Sequence, residues 1–298
     1  MTDTASDQRF FSDVMKAVKA SAATRRSAAG LLRGLSAADP HLLTKYEFSF
    51  KTGPGAASRE VRFLNIDADA YSCRGRQFFL RRLALCGRLM GAAGRSGNGK
   101  RVLRALRRAA DTPMDLYFGA DIRGKSALFA FWLIFGGVKR DGRASFWPYD
   151  FQKLAGGLLK ELGLREPPAP DREVLNFGLD IGEEITFKLY YLCREKVMKG
   201  SPFQALMEKL NDRLWFAKFF YFFSRMYDAS GRLIKEKLFI EFLEDVPCRD
   251  GAKVGRVLAG LPVRGAAGAK RTLAACGGRI SLISFEAGGT TTFYVRNR

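Results

Sequence analysis

Five times along the chain a helical stretch runs into two strands joined by a short turn, and this repetition limits the fold more than any other feature of the 298 residues. In the first unit, apolar residues at helical spacing run from Phe10 to Leu35, and Pro40 punctuates the end of that stretch. Tyr46 to Phe50 then reads as a strand, Gly53-Pro54-Gly55 turns the chain, and Val61 to Ile66 returns as a second strand. Four more hairpins begin near residues 114, 173, 216 and 279. Their turns fall near Arg123-Gly124-Lys125, Gly182-Glu183-Glu184, Ala229-Ser230-Gly231 and Gly288-Gly289. The helices expected ahead of them are Phe78 to Ala110 with a break over Gly94 to Gly99, Phe151 to Leu162, Pro202 to Arg213, and Val254 to Leu261.

Five antiparallel hairpins leave two open sheet edges unless the sheet closes on itself, and helices between the hairpins are free to cover its outer face. The expected fold is therefore α/β: one domain over residues 1–298, a closed antiparallel ten-stranded barrel of helix-plus-hairpin repeats with the helices outside. A barrel of about ten strands is wide enough to hold a ligand, unlike the plugged eight-stranded kind. The 25 Phe residues give such a barrel abundant rings to line or wrap it.

The formal charge of +20 calls for an anionic partner or an unusually basic surface. Nucleic acid, a phosphate-bearing small molecule and an acidic peptide all meet that requirement, and charge alone does not choose among them. Five cysteines (Cys73, Cys86, Cys193, Cys248 and Cys276) stand far apart, and His41 is the single histidine, so a structural zinc site is not expected and the thiols read as reduced core residues. The N-terminal residues lack an apolar signal core, and no apolar run reaches the roughly 18 residues that span a bilayer. The expectation is a cytoplasmic protein without a membrane partner.

Period-two alternation in Ile185-Thr186-Phe187-Lys188-Leu189-Tyr190-Tyr191-Leu192 places Lys188 and Tyr190 on one face and Phe187 and Leu189 on the other. With helices outside, the Lys/Tyr face looks into the barrel. Equivalent strands offer Arg62, Lys235 with Lys237, and Tyr294 with Arg296. Ammonium, guanidinium and phenol groups converging from several strands suit a diphosphate, since they neutralise charge and donate many hydrogen bonds. Against this stands the ordinary expectation that a charged strand residue is solvated.

The five helix-plus-hairpin units resemble the prenyltransferase barrel of the ABBA-type aromatic prenyltransferases, and the local sequences are similar to the cyanobactin-type, peptide-modifying branch. Three stretches carry the resemblance. Phe118-Gly119-Ala120-Asp121-Ile122-Arg123, followed by Lys125-Ser126 and the strand bearing Trp132, looks like one family hairpin; Phe177-Gly178-Leu179-Asp180-Ile181 ahead of Lys188-Leu189-Tyr190 looks like the next; Glu47 ahead of Arg62 looks like the family's base and first phosphate-binding arginine.

The resemblance implies Glu47 as the catalytic carboxylate, accepting a proton from the acceptor or orienting it. It implies Arg62, Lys188, Tyr190, Lys237, Tyr294 and Arg296 on the diphosphate, with Arg123, Lys125 and Lys235 as further candidates. Trp132, Phe220, Tyr221 and Phe239 would form the prenyl and acceptor pocket. One departure stands out: Leu128-Phe129-Ala130-Phe131 supplies no inward lysine in the second hairpin, where the family usually presents one.

Other motifs are weaker. Gly94-Arg95-Ser96-Gly97-Asn98-Gly99-Lys100 has the spacing of a phosphate-binding P-loop, but Arg101 stands where a magnesium-binding hydroxyl is needed and no strand leads in. Asp67-Ala68-Asp69 lacks the alternating strand-helix context of a nucleotide-sugar site. No aspartate cluster requires magnesium, although a diphosphate leaves room for it. Lys100, Arg101, Arg104, Arg107 and Arg108 share much of one helix face, readable as a solvated surface or as a seat for an acidic leader peptide or nucleic acid.

The expected activity is thus prenyl transfer from dimethylallyl or geranyl diphosphate, without a permanently bound cofactor, to a nucleophilic side chain of a peptide, as in ribosomal peptide tailoring. Prenylation of a small aromatic metabolite is the alternative, and a nucleic-acid-binding or otherwise non-catalytic basic barrel is the alternative of another class.

Overall fold

A computed structural model describes residues 4–36, 45–53, 61–66, 75–92, 97–111, 115–123, 126–134, 136–138, 144–146, 151–167, 174–192 and 201–297. Helices α1 (Thr4–Ala17) and α2 (Ala22–Ser36) lead into strands β1 (Lys45–Thr52) and β2 (Val61–Ile66). Helices α3 (Gly75–Ala92) and α4 (Gly97–Arg108) precede β3 (Asp115–Arg123) and β4 (Ser126–Ile134). A small pair follows, β5 (Gly136–Val138) and β6 (Ala144–Phe146), then α5 (Phe151–Glu161), β7 (Val174–Ile181) and β8 (Ile185–Leu192). Helix α6 (Gln204–Arg213) precedes β9 (Phe219–Tyr227) and β10 (Leu233–Pro247), and α7 (Gly251–Gly260) with α8 (Ala266–Cys276) precede β11 (Arg279–Glu286) and β12 (Thr291–Arg296).

The main sheet pairs antiparallel in the order β1-β12-β11-β10-β9-β8-β7-β4-β3-β2, and β1 also bonds β2, so the strands run in closed order. Strand alternation then sorts side chains into two populations. Phe48 on β1 meets the rings of Phe10 and Phe11 on α1, at centroid distances of 5.7 and 5.3 Å, so its face of the sheet looks toward the helices. Its neighbours Glu47 and Ser49 look the other way, into the lumen.

The same rule holds round the sheet. Phe131, Phe177, Phe187, Phe223, Ile240, Ile283 and Phe293 join the large core between sheet and helices. Ala130, Trp132, Ile134, Tyr190, Phe222, Phe239 and Tyr294 form a second, separate cluster inside the barrel, with Tyr117, Leu192, Phe220 and Leu282 at its margin. Each fully buried aromatic side chain in the outer layer contributes about 1.5–3 kcal/mol of transfer free energy, and this layer holds the strands in register around the lumen.

Several boundaries differ from the sequence expectation for local reasons. The first helical stretch divides at residues 18–21: Lys19 adopts a left-handed φ of 53°, and Ser21 Oγ accepts the Thr24 N–H at 3.1 Å to start a new helix. Gly97 to Gly99, expected in a helix break, begin α4. The strand expected from Phe216 starts at Phe219. Helix α8 and the β5–β6 pair had no counterpart in the expected repeat.

Candidate active site

Four strands build one end of the lumen around Glu47. Its Cα partners are Arg296 on β12 and Leu64 on β2. Glu47 is 1% exposed, and its Oε1 accepts both the Arg296 Nε–H at 3.0 Å and the Ser281 Oγ–H from β11. Ser281 reaches inward because the register between β11 and β12 shifts between Ile280 and Leu282. Burial opposes the charge on Arg296, but Glu47, Glu241 and Asp245 outweigh it and hold the guanidinium's pKa above its ordinary value.

The lysines gather farther along the barrel. Lys188 on β8 is buried, with Nζ 2.5 Å from Asp180 Oδ2 on β7 and 5.9 Å from the centre of the Trp132 ring on β4. Lys237 and Lys235 on β10 both meet Glu286 on β11, at 2.7 and 3.0 Å. Burial alone would raise the Glu286 pKa, yet the two ammonium groups bring it down to about 2. Each of these lysines is therefore held by a carboxylate on the neighbouring strand.

Aromatic rings occupy the space between. Trp132 Nε1 donates to the Tyr190 hydroxyl at 2.8 Å, and Phe239 stacks on Phe222 at 4.7 Å with planes 5° apart. Tyr190 lies 5.8 Å and Tyr294 6.4 Å from Phe239, ring centre to ring centre. Gly178 makes the Trp132–Tyr190 contact feasible: a Cβ there would stand 3.2 Å from Trp132 and 3.3 Å from Tyr190. Rings of this kind present negative faces to a cation and keep water away from it.

Of the residues expected at the site, Glu47, Lys188, Tyr190, Lys237, Tyr294, Arg296, Trp132 and Phe239 meet in this lumen, with Phe220 beside the aromatic cluster. Lys235 reaches Glu286 from the rim, at 40% side-chain exposure. Arg62 holds a register position between Ser49 and Asp121. Arg123 pairs with Ser126 at the end of β3 and β4. Lys125 lies outside the described residues, as do His41, Asp67 to Asp69, Cys73 and Cys193.

Tyr221 is a correction. Its Cα partner is Ile240, and it packs against the helix-side core, because alternation places it opposite Phe220 and Phe222. Among the described residues, the lumen row of β4 reads Leu128, Ala130 and Trp132. Sequence reasoning missed Asp180, Glu286, Ser281 and Glu241; strand alternation with Lys188 and Lys237 was the signal available for the first two. Among the described residues no group of three or more His, Cys, Asp and Glu is placed to hold a metal ion. Burial raises the thiols of Cys86 and Cys248 to about 12, so they are unreactive core groups.

No protein-family model matches the sequence, and no curated protein sequence does. Solved structures do match. The prenyltransferase PriB, in ternary complex with L-tryptophan and dimethylallyl thiolodiphosphate, superposes with a TM-score of 0.66 at 16% identity, over 99% of this chain and 95% of that one. The chain has the prenyltransferase-barrel fold. A 5-dimethylallyl tryptophan synthase from Streptomyces coelicolor, in complex with DMASPP and Trp, matches at a TM-score of 0.61 and 14% identity, over 96% of this chain and 92% of that one. NotF, in complex with brevianamide F and DMSPP, gives 0.61 at 14% identity, over 100% and 96%. Among the described residues, no helix is long and apolar enough to cross a membrane.

Proposed function

We propose that this barrel transfers a dimethylallyl or longer isoprenoid group from its diphosphate to an aromatic acceptor held in the lumen. The observation that carries this reading is the division of one lumen into two poles. Glu47 and Arg296 form one, Lys188 and Lys237 the other, and the rings of Trp132, Tyr190, Phe239 and Tyr294 lie between.

In this reading the diphosphate takes over Lys188 and Lys237 from Asp180 and Glu286, with Arg62, Tyr190 and Tyr294 adding further contacts. These interactions strengthen as negative charge builds on the leaving group, and that difference lowers the barrier. As the allylic C1–O bond breaks, the electron pair leaves with the diphosphate and the aromatic rings face the cation. The acceptor's nucleophile closes the new bond while Glu47 orients it. The structural neighbours support an aromatic acceptor, since their complexes contain tryptophan or brevianamide F together with dimethylallyl thiolodiphosphate analogues.

A peptide acceptor is the second reading. It is favoured by the basic face of α4, where Lys100, Arg104 and Arg107 are exposed and suited to an acidic segment of a substrate. The test is incubation with dimethylallyl and geranyl diphosphates and two acceptor sets, one of free indoles and phenols and one of peptides carrying Trp, Tyr, Arg, His and Ser. Mass spectrometry then reads the added isoprene. Product with free indoles supports the first reading, and product with peptides alone supports the second. No product with any acceptor, together with no protection from thermal unfolding by either diphosphate, overturns both in favour of a non-catalytic basic barrel.

A further inference from the structure

Glu47 is not the lone carboxylate at its pole. Glu241 on β10 has Leu282 and Phe220 as Cα partners, both at the margin of the lumen cluster, while its neighbours Ile240 and Phe242 belong to the helix-side core. Alternation therefore turns Glu241 inward, two residues from Phe239 along the strand. It lies in the electrostatic field of Arg296 and Glu47.

The two carboxylates differ in how they are held. Glu47 has Oε1 engaged by Arg296 and Ser281, which fixes its orientation. Among the described residues no hydrogen bond is made to the Glu241 carboxylate. A proton acceptor needs an accessible lone pair, and an orienting group needs a fixed position.

We propose that Glu241 takes the proton released by the acceptor, while Glu47 holds the acceptor in place. The inference rests on the prenyl-transfer reading above. The step balances: the allylic C1–O bond breaks with its electron pair on the diphosphate, the acceptor's electron pair forms the new bond to carbon, and the acceptor's lost proton moves to the Glu241 carboxylate. No oxidant or metal is needed. Burial supports the assignment, since it raises the Glu241 carboxyl to about 7, with Arg296 opposing the rise and Glu47 and Asp245 adding to it. The charged groups that act on it are Arg296 on β12, Glu47 on β1 and Asp245 on its own strand.

The experiment compares wild type with Glu241→Gln and Glu241→Asp, using dimethylallyl diphosphate and whichever acceptor the wild type prenylates. The wild-type rate should climb with pH to a plateau above about 7. Glu241→Gln should lose roughly 100-fold in kcat, and the limb near neutrality should vanish. Its thermal stabilisation by the diphosphate should stay at the wild-type level. Glu241→Asp should recover part of the rate, and it decides the matter if the Gln variant fails to melt cooperatively. Wild-type rate and an unchanged pH limb in the Gln variant, or in the Asp variant no pH response different from wild type, overturn the assignment and leave prenyl transfer intact. A wild type that prenylates no acceptor removes the underlying reading instead.

Discussion

Glu47 and Arg296 face each other across the β1–β12 pairing, with Nε of the arginine 3.0 Å from Oε1 of the glutamate. The side chains are 2% and 19% exposed, so the pair is largely removed from water. Arg296→Ala should therefore cost about 3–5 kcal/mol, because it strands the buried carboxylate. Urea unfolding at pH 7 checks this. A loss below about 1 kcal/mol would show that the pair is solvated in the folded state.

Lys188 is the buried cation of the opposite pole. Lys188→Met should weaken dimethylallyl diphosphate binding at least about tenfold, given what a charge-assisted contact to phosphate contributes. Asp180→Asn should not weaken it, because Asp180 competes with the diphosphate for the same ammonium at 2.5 Å. Titration calorimetry on both variants reads the difference, and equal affinities for wild type and Lys188→Met would count against this pole as the diphosphate seat.

Glu286 links pH to stability. Its folded pKa of about 2 lies below the ordinary value of 4.5, so its contribution is complete above pH 4.5 and is lost as pH falls toward 2. The amount is at most about 3 kcal/mol. Glu286→Gln should be less stable than wild type at pH 7, and the gap should close near pH 2. A gap independent of pH would remove the lysine pairing as its cause.

Glu241 should act with the opposite sign. Its folded pKa of about 7 exceeds the ordinary 4.5, so the folded state binds the extra proton, and stability declines as pH rises from 4.5 through 7. Glu241→Gln should remove about 1–3 kcal/mol of that decline and melt higher than wild type at pH 8. Melting curves at pH 5 and pH 8 are sufficient.

Gly178 and Trp132 set the shape of the lumen. Gly178→Ala places a methyl group 3.2 Å from Trp132 and 3.3 Å from Tyr190, tighter than ordinary contact, so one ring must yield. A cost of about 1–3 kcal/mol is expected, with a matching change in Trp132 fluorescence. Unchanged stability and fluorescence would mean the rings relax freely.

Much of this arrangement was legible from local pattern. A period of two is fixed by the strand backbone itself, so Lys188 and Tyr190 on one face and Phe187 on the other follow from order alone. The same rule, applied to β9, puts Phe220 beside the lumen cluster and Tyr221 on the helix side, so the two do not share a pocket. The carboxylates were harder to see. Asp180 and Glu286 look like surface acids in isolation, and only sheet pairing shows that alternation brings each to ion-pair distance of a lysine on the neighbouring strand.

The sequence by itself determined the order of the five hairpins and, away from register shifts, the face on which a strand residue falls, because both depend on neighbours a few residues away. Tertiary structure alone decided which inward residues meet. Ser281 bonds Glu47 across 234 positions, and it does so because β1 and β12 pair and the β11 register shifts by one residue beside them. Contacts of that range depend on sheet order and register, and those are set by the summed packing of the helix-side core, which no local stretch of sequence encodes.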